Sequence, residues 1–298
     1  MSFSSDIKNE LAMVDGGDCC ELAQAYGMAE FGRSFSASGV SLQTESKAVA
    51  DRYAQLFGTV CGVTPQVESP PPDKSGLYTV FVRAEDRERV LSRFGHGGKE
   101  VALRLNRANL DCDTCAAAFL RGVFLVCGAV TNPQIDYHLE FSVPYLNLSR
   151  DLVALLGEQG LMAKTVRRKG NYIVYFKESE QIEDCLTGIG AMNASLELMN
   201  VKIVKSIRNN VNRAANCETA NLDKTLAAAL PQIEAVRKIE KTLGWDALPE
   251  DLRELCRLRV ENPEYSLREL GEALKPKISR SGVNHRLQRV LEIADTIK

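Results

Sequence analysis

The side chains of this sequence best suited to chemistry fall into two groups. Four cysteines stand just before two small-residue helices, as Cys19-Cys20 and as Cys112-Asp-Thr-Cys115. If those helices pack side by side in parallel, all four thiols approach one spot, and four thiolates suit Zn²⁺. Adjacent cysteines are a poor chelate spacing, however, and ordinary buried thiols account for both pairs, so the expectation is no metal and no cofactor. The second group is basic. Between Glu272 and Glu292 there is no acidic residue, but there are Lys275, Lys277, Arg280, Arg286 and Arg289, with His285 among them. Such a cluster suits the phosphates of a nucleic acid. The three histidines, His96, His138 and His285, are scattered without a nucleophile pattern, and no glycine-rich loop cradles a phosphate. No catalytic residue is expected.

The basic cluster lies in a C-terminal stretch that reads as three helices. Pro249 starts a helix over Glu250–Val260, and Ser266 caps Leu267–Leu274 with Glu269 completing a capping box. A turn, Lys275–Gly282, then opens a helix over Val283–Ile297. Leu267, Leu270, Ala273 and Leu274 face a matching stripe of Val283, Leu287, Val290, Leu291 and Ala294. Two helices, a tight turn and a basic second helix describe a helix-turn-helix, whose second helix meets base edges with its N-terminal turns. Those turns present Ser281, Asn284, His285, Gln288 and Arg289. With Lys277, Ser279, Arg280 and Arg286 they form the expected DNA-binding set. A solvated helical face is the plainer alternative; the capping box and the absence of acids favour DNA.

A second acid-free stretch, Leu198–Cys217, carries Lys202, Lys205, Arg208 and Arg213 together with Asn209, Asn210, Asn212 and Asn216. The cations partly share a helical face and are candidates for phosphate contact, with a solvated linker helix as the alternative. A helix over Asn221–Leu243 follows, with an interruption expected at Pro231. The single tryptophan, Trp245, is expected to anchor the hinge onto the C-terminal helices.

Upstream, one pattern occurs twice. Leu22–Gly32 and Leu120–Gly128 are compact apolar helices ending in glycine, and each is followed by a strand, an amphipathic helix, a hairpin and a short helix. The strands are Val40–Glu45 and Tyr137–Val143, and the helices Lys47–Phe57 and Leu148–Glu158. The hairpins span Pro65–Arg83 and Ala163–Lys177, and the short helices Arg87–Phe94 and Gln181–Leu186. A period of about 95 residues fits a duplicated half-domain better than a solenoid unit. Two such halves place a pseudo-twofold axis inside one chain, which makes a monomer the simplest assembly.

With 298 residues, 45% hydrophobic and 26% charged, the chain reads as a globular protein of two or three domains. No apolar run reaches membrane-spanning length, and the N-terminus reads as a helix capped by Ser4 or Ser5 rather than as a leader. Nine cysteines at irregular spacing imply reduced thiols and a cytoplasmic setting.

The glycine-ended helix pairs resemble those of LAGLIDADG homing endonucleases. There, two such helices pack at the pseudo-twofold axis and two four-stranded sheets form a saddle over DNA. The strings Asn212–Lys224 and Ser279–Leu287 extend the resemblance over the whole chain to the WhiA family of bacterial transcription regulators. This resemblance implies an α+β fold. Duplicated αββαββα halves (about 18–95 and 112–190) fill a domain over 1–190, followed by a helical basic linker over 191–246 and an all-α helix-turn-helix domain over 247–298. It also implies a DNA-binding regulator linked to cell division, chromosome segregation or sporulation, associated with the nucleoid, with double-stranded DNA as partner. A protein-binding scaffold, its saddle docking a sigma factor or another regulator, and a residual endonuclease are the alternatives. Homing endonucleases hold their metal ions with an acidic residue at the close of each paired helix. Here those positions are Phe31 and Cys127, and the nearest carboxylate, Glu30, is turned about 100° from them around the helix. The nuclease site therefore reads as lost. The saddle is also lopsided. The second hairpin carries Lys164, Arg167, Arg168 and Lys169, candidates for DNA contact, whereas the first has Glu68 and Asp73 with Lys74 alone near its turn.

Overall fold

In the computed structural model, residues 2–71, 76–100 and 102–297 are described. Asp73 and Lys74, named above in the first hairpin turn, lie outside the described residues. The first helix, α1 (Phe3–Ala12), starts earlier than expected: Ser2, not Ser4 or Ser5, is its cap, its Oγ accepting from the Ser5 N–H at 3.2 Å. Phe3, Ile7 and Leu11 recur every fourth residue and are all buried, so the apolar stripe itself requires the helix to begin by Phe3.

The two glycine-ended segments form α2 (Asp18–Glu30) and α5 (Cys115–Cys127), and they pack against each other with their backbones nearly touching. A Cβ on Gly27 would lie 2.4 Å from the Phe119 carbonyl oxygen, and one on Gly122 only 2.2 Å from that of Gln24. Only glycine permits this approach. Tyr26, Met28, Phe119 and Phe124 are buried around the crossing and make the pair the centre of an extended core.

Each of these helices leads into the same set of elements. The first copy has β1 (Ser34–Ser36), β2 (Gly39–Thr44), α3 (Lys47–Cys61), β3 (Gln66–Glu68), β4 (Tyr78–Phe81) and α4 (Arg87–Arg93). The second has β5 (Gly128–Val130), β6 (Leu139–Val143), α6 (Leu146–Glu158), β7 (Lys164–Arg168), β8 (Asn171–Phe176) and α7 (Ser179–Ile189). Both sheets are fully antiparallel with the same order, β1-β2-β4-β3 and β5-β6-β8-β7. Burial alternates along β2 and β6, with Val40 and Leu42, and Leu139, Phe141 and Val143, turned to the core. These are the duplicated αββαββα halves. The three-residue strands β1 and β5 are too short to show alternation, so the element-by-element reading found one strand before the middle helix where there are two.

By compactness the chain divides into two units, Met1–Val204 and Lys205–Lys298, and the boundary falls within one long helix, α8 (Met192–Leu243). The break expected at Pro231 is absent: the helix continues through it without interruption. Proline costs the Ala227 carbonyl its helical partner, but Ala227 is exposed to solvent, which can hydrate that oxygen. Buried Ala229, Ile233 and Val236 hold the flanking turns in place. In the second unit, α9 (Glu250–Glu261), α10 (Leu267–Ala273) and α11 (Arg280–Thr296) surround two small cores. Trp245 serves as the expected anchor, packed on one of them while its Nε1 donates to Glu240 at 3.0 Å. Among the described residues, no helix is long and apolar enough to cross a membrane.

Substituting Gly122→Ala should force the two helix backbones apart. An overpacked contact costs about 1–3 kcal/mol, and here the clash is with main chain that cannot rotate away. Thermal unfolding of the variant should show the lower-melting transition of a weakened N-terminal unit; an unchanged melting temperature would refute the backbone contact.

Candidate nucleic-acid interface

The helix-turn-helix is built by local signals that agree with one another. Ser266 Oγ accepts from the Glu269 N–H, and the Glu269 carboxylate accepts from the Ser266 N–H at 2.7 Å, closing the expected capping box on α10. The turn then folds back tightly: the Ile278 N–H donates to the Gly271 carbonyl at 3.0 Å, and a Cβ on Gly271 would lie 2.3 Å from the Ile278 carbonyl oxygen. Helix α11 begins at Arg280, three residues before the expected Val283, because Ser279 caps it by accepting from the Gly282 N–H at 3.2 Å. Arg280 and Ser281 are therefore in its first turn rather than in the loop.

One face of α11 is consumed by packing: Val283, Leu287, Val290 and Ala294 are buried. On the other, Ser281, Asn284, His285, Gln288 and Arg289 are all exposed at the i, i+3/i+4, i+7/i+8 spacing of one helical stripe. Lys277, Ser279 and Arg280 are exposed just ahead of it. Arg280, Asn284 and Gln288 also line a cleft of about 660 Å³ together with Lys224, Thr225 and Arg268. Arg286 differs from the rest of the expected set. It is half-buried, its Nη1 donates to the Asp251 carbonyl at 3.1 Å, and its Nε lies 3.6 Å from the Asp251 carboxylate. Its first task is to fasten α11 to the start of α9.

Sequence reasoning missed Arg259, whose side chain is only 2% exposed. Its Nη1 donates to the Tyr265 carbonyl at 2.8 Å and to that of Pro263 at 3.3 Å, fixing the connection that aims α10. Burial lowers its pKa, and the charge of Glu264 offsets this in part. No sequence pattern marks such a residue, because a buried arginine reads like any surface one.

The basic hairpin is divided by register. Residues 164, 166 and 168 pair with Tyr175, Ile173 and Asn171, on the sheet face away from the core, whereas Arg167 pairs with Tyr172 on the opposite face. Lys164 and Arg168 thus share the open face. Lys164 also contacts Glu178 at 3.3 Å, and Arg167 lies 5.8 Å from the centre of the Tyr172 ring. Lys169 and Gly170 form the turn, both with positive φ (49° and 89°). Among the described residues, the strands of the first sheet put no cation on its open face: register places Ser34, Ser41, Gln43, Thr79, Phe81, Gln66 and Glu68 there, and Arg33, just ahead of β1, donates to Gln43. On α8, Lys202 is engaged by Glu183 at 3.3 Å and Glu180 at 3.6 Å, Lys205 is half-buried, and Arg208 and Arg213 are exposed.

Among the described residues, the C-terminal ends of the paired helices hold no hard-metal ligand set. Phe31 is buried edge-on to Phe119, and Cys127 Sγ donates to the Val123 carbonyl at 3.3 Å. Burial raises the Cys127 thiol to about 12. Glu30 is 1% exposed and, among the described residues, pairs with no lysine or arginine. Burial pushes its carboxyl up to about 8, with Tyr26 pulling in the opposite direction. A carboxyl held neutral inside a core is the reverse of what Mg²⁺ requires. At the other end of the helices the four cysteines do converge, their Sγ atoms all within 4.8 Å of one another. Ordinary burial does not account for them, since only Cys115 is buried, Cys19 and Cys20 are half-exposed and Cys112 is exposed. Hydrogen bonds from Thr114, Cys115 and Cys19 lower the Cys112 thiol to about 6.

A duplicated LAGLIDADG-like unit whose one helix-end carboxylate, Glu30, is buried in the core, followed by a helix-turn-helix, defines the class of protein. Two family profiles match the chain: the WhiA LAGLIDADG-like domain over residues 116–208 and the WhiA C-terminal HTH domain over 211–294. The "Probable cell division protein WhiA" of Ruminiclostridium cellulolyticum is 39% identical, with 100% of this chain and 98% of that protein covered. Its counterpart in Clostridium botulinum strain Hall is 37% identical over 100% and 99%. The chain belongs to the WhiA family. The crystal structure of full-length WhiA from Thermatoga maritima has the same fold, with a TM-score of 0.62 at 24% identity over 99% of this chain and 98% of that one.

The Glu30 environment makes stability depend on pH in a definite direction. Its pKa is raised on folding, from 4.5 to about 8, so the native state holds this proton more tightly and stability is lost as pH rises through that window. At about 1.4 kcal/mol per unit the loss is several kcal/mol at most. Glu30→Gln should match the parent's melting temperature near pH 5 and exceed it at pH 9; equal stabilities at both would place the carboxylate in contact with water.

Proposed function

We propose that the chain is a sequence-specific DNA-binding transcriptional regulator in which α11 reads the duplex and the endonuclease-derived unit no longer cleaves. The observation that carries this reading is the exposed stripe of Ser281, Asn284, His285, Gln288 and Arg289. None of the five has a hydrogen-bond or ion-pair partner among the described residues, and no acid interrupts them. Asparagine and glutamine match adenine edges and arginine matches guanine or phosphate, so the stripe combines readout with affinity. Lys277, Ser279 and Arg280 add phosphate contacts ahead of the helix. Lys164, Arg168, Lys169, Arg208 and Arg213 are further sites of salt-dependent affinity. Arg167 and Lys202, each drawn toward a neighbour of its own, contribute less.

The relatives' name, probable cell division protein, supports cell division as the regulated process; chromosome segregation or sporulation are the linked outputs of this reading. The cytoplasm, at the nucleoid, is the corresponding location, and one chain with its internal twofold is the working unit. The extents assigned from sequence, 1–190, 191–246 and 247–298, serve as saddle, basic connector and reader. The open face of the first sheet, where the described strand residues offer no cation and Arg33 is held by Gln43, favours a second occupant there, a protein such as a sigma factor or another regulator, because phosphates need free cations on both halves of a symmetric grip.

Incubating the protein with sheared genomic DNA and Mg²⁺, then sequencing the bound fragments with their ends, tests this directly. A shared motif inside intact fragments is expected. Arg289→Ala should weaken binding and flatten its salt dependence, while Asn284→Ala or Gln288→Ala should relax preference at one base pair, by about 1–3 kcal/mol each. Arg286→Ala should lower the melting temperature as well as affinity, because it releases Asp251. New fragment ends at the motif would restore the endonuclease reading, and an absence of any motif would move the function to the protein-binding saddle.

A further inference from the structure

We propose that Cys19, Cys20, Cys112 and Cys115 form a mononuclear tetrathiolate site for Zn²⁺ that joins the two copies of the repeat at the N-terminal ends of α2 and α5. The geometry is that of a metal site rather than of a disulfide. Cys112 Sγ lies 3.5 Å from Cys19 Sγ, 3.7 Å from Cys20 Sγ and 3.4 Å from Cys115 Sγ. Four sulfurs each about 2.3 Å from a tetrahedral zinc ion stand ~3.8 Å from one another, close to these separations. A disulfide would single out one partner for Cys112, and here three are equivalent. An iron–sulfur cluster would need its cysteines spread around several metal atoms, wider than the 4.8 Å that bounds this set.

The adjacent pair that looked unsuitable in the sequence works because its two residues do not chelate alone. Cys19 and Cys20 lie in the first turn of α2, and both reach across to Cys112, which comes from the other copy more than 90 residues away. Each copy supplies two ligands. Thiolate is the form that binds metal, and four thiolates around a dication leave a net charge of −2. The surroundings can offset it. Both helices start at the cluster, and neither has a side-chain cap on its first-turn N–H groups, which leaves the positive ends of two helix dipoles there. The Cys112 N–H already donates to Cys115 Sγ at 3.5 Å, and Arg121 is close enough to Cys20 for the two to attract. Cys112 is exposed, which gives the ion a way in. Soft thiolates with no carboxylate or imidazole among them select zinc over Mg²⁺ or Mn²⁺. No open position remains for substrate or water, so the ion is structural.

The test uses the full chain, purified under reducing conditions without chelator. Metal analysis should give one zinc per chain, retained in Cys217→Ser, an exposed cysteine outside the set, and lost in Cys112→Ser. After the zinc is removed, Co²⁺ should produce the thiolate charge-transfer band and the strong visible bands of a tetrahedral S₄ site, then be displaced by equimolar Zn²⁺. Zinc should also raise the melting temperature of the metal-free protein, since an ion that binds only the folded state stabilises it by mass action. If Cys112→Ser does not fold, the cobalt spectrum of the parent chain decides alone. A colourless cobalt complex, the brown absorption of an iron–sulfur cluster, or zinc that depends on Cys217 would each overturn the assignment.

Discussion

Gly27 and Gly122 bring two helix backbones to a separation that any side chain would prevent, and the N-terminal unit depends on that approach. It sets where α2 and α5 end, and hence where β1 and β5 begin, since each sheet starts within a few residues of its helix. A shift of either helix would move a whole four-stranded sheet with it. Tyr26 extends the effect sideways: its hydroxyl accepts from the Asn106 N–H at 2.7 Å and lies 3.1 Å from His96 Nε2, so the segment joining the copies is tied to the same helix. Interiors packed this closely transmit displacement rather than absorb it.

The same crossing lets the proposed loss of a nuclease metal site leave the shape intact. In an endonuclease the ends of such helices must hold carboxylates near one another and near water. Here Phe31 adds an aromatic contact with Phe119, and Glu30 is kept neutral in the core. In the proposed reading DNA recognition rests on α11, whose aim depends on Arg259, Gly271 and the Arg286–Asp251 contact.

Much of this was legible in the residues. The repeat announced itself through paired elements in order, and Ser266 and Glu269 gave the capping box because that motif is wholly local. What sequence could not give was long-range. Arg286 and Arg289 look alike on paper, yet only the tertiary structure shows that Asp251 engages one of them. Arg167 and Arg168 differ only by strand register, which a hairpin fixes through its turn. Ser279 outcompeted the glycine-based reading of where α11 starts because its hydroxyl reaches the Gly282 N–H. Glycines inside helices are a known sign of close approach, and Gly27, Gly122 and Gly271 carried that signal without being read. Pro231 misled in the opposite direction, since burial on either side outweighed one missing hydrogen bond.

The division of labour along α11 has an evolutionary consequence. Its buried stripe and its Arg286 contact hold the fold, whereas Ser281, Asn284, His285, Gln288 and Arg289 have no hydrogen-bond or ion-pair partner among the described residues. Exposed positions without partners tolerate substitution at a stability cost within about half a kcal/mol. If α11 reads duplex DNA as proposed, its target preference can drift, one base pair at a time, while foldability stays constant. A lineage carrying this scaffold could rewire its set of controlled promoters by neutral steps, without first acquiring compensating changes in the core.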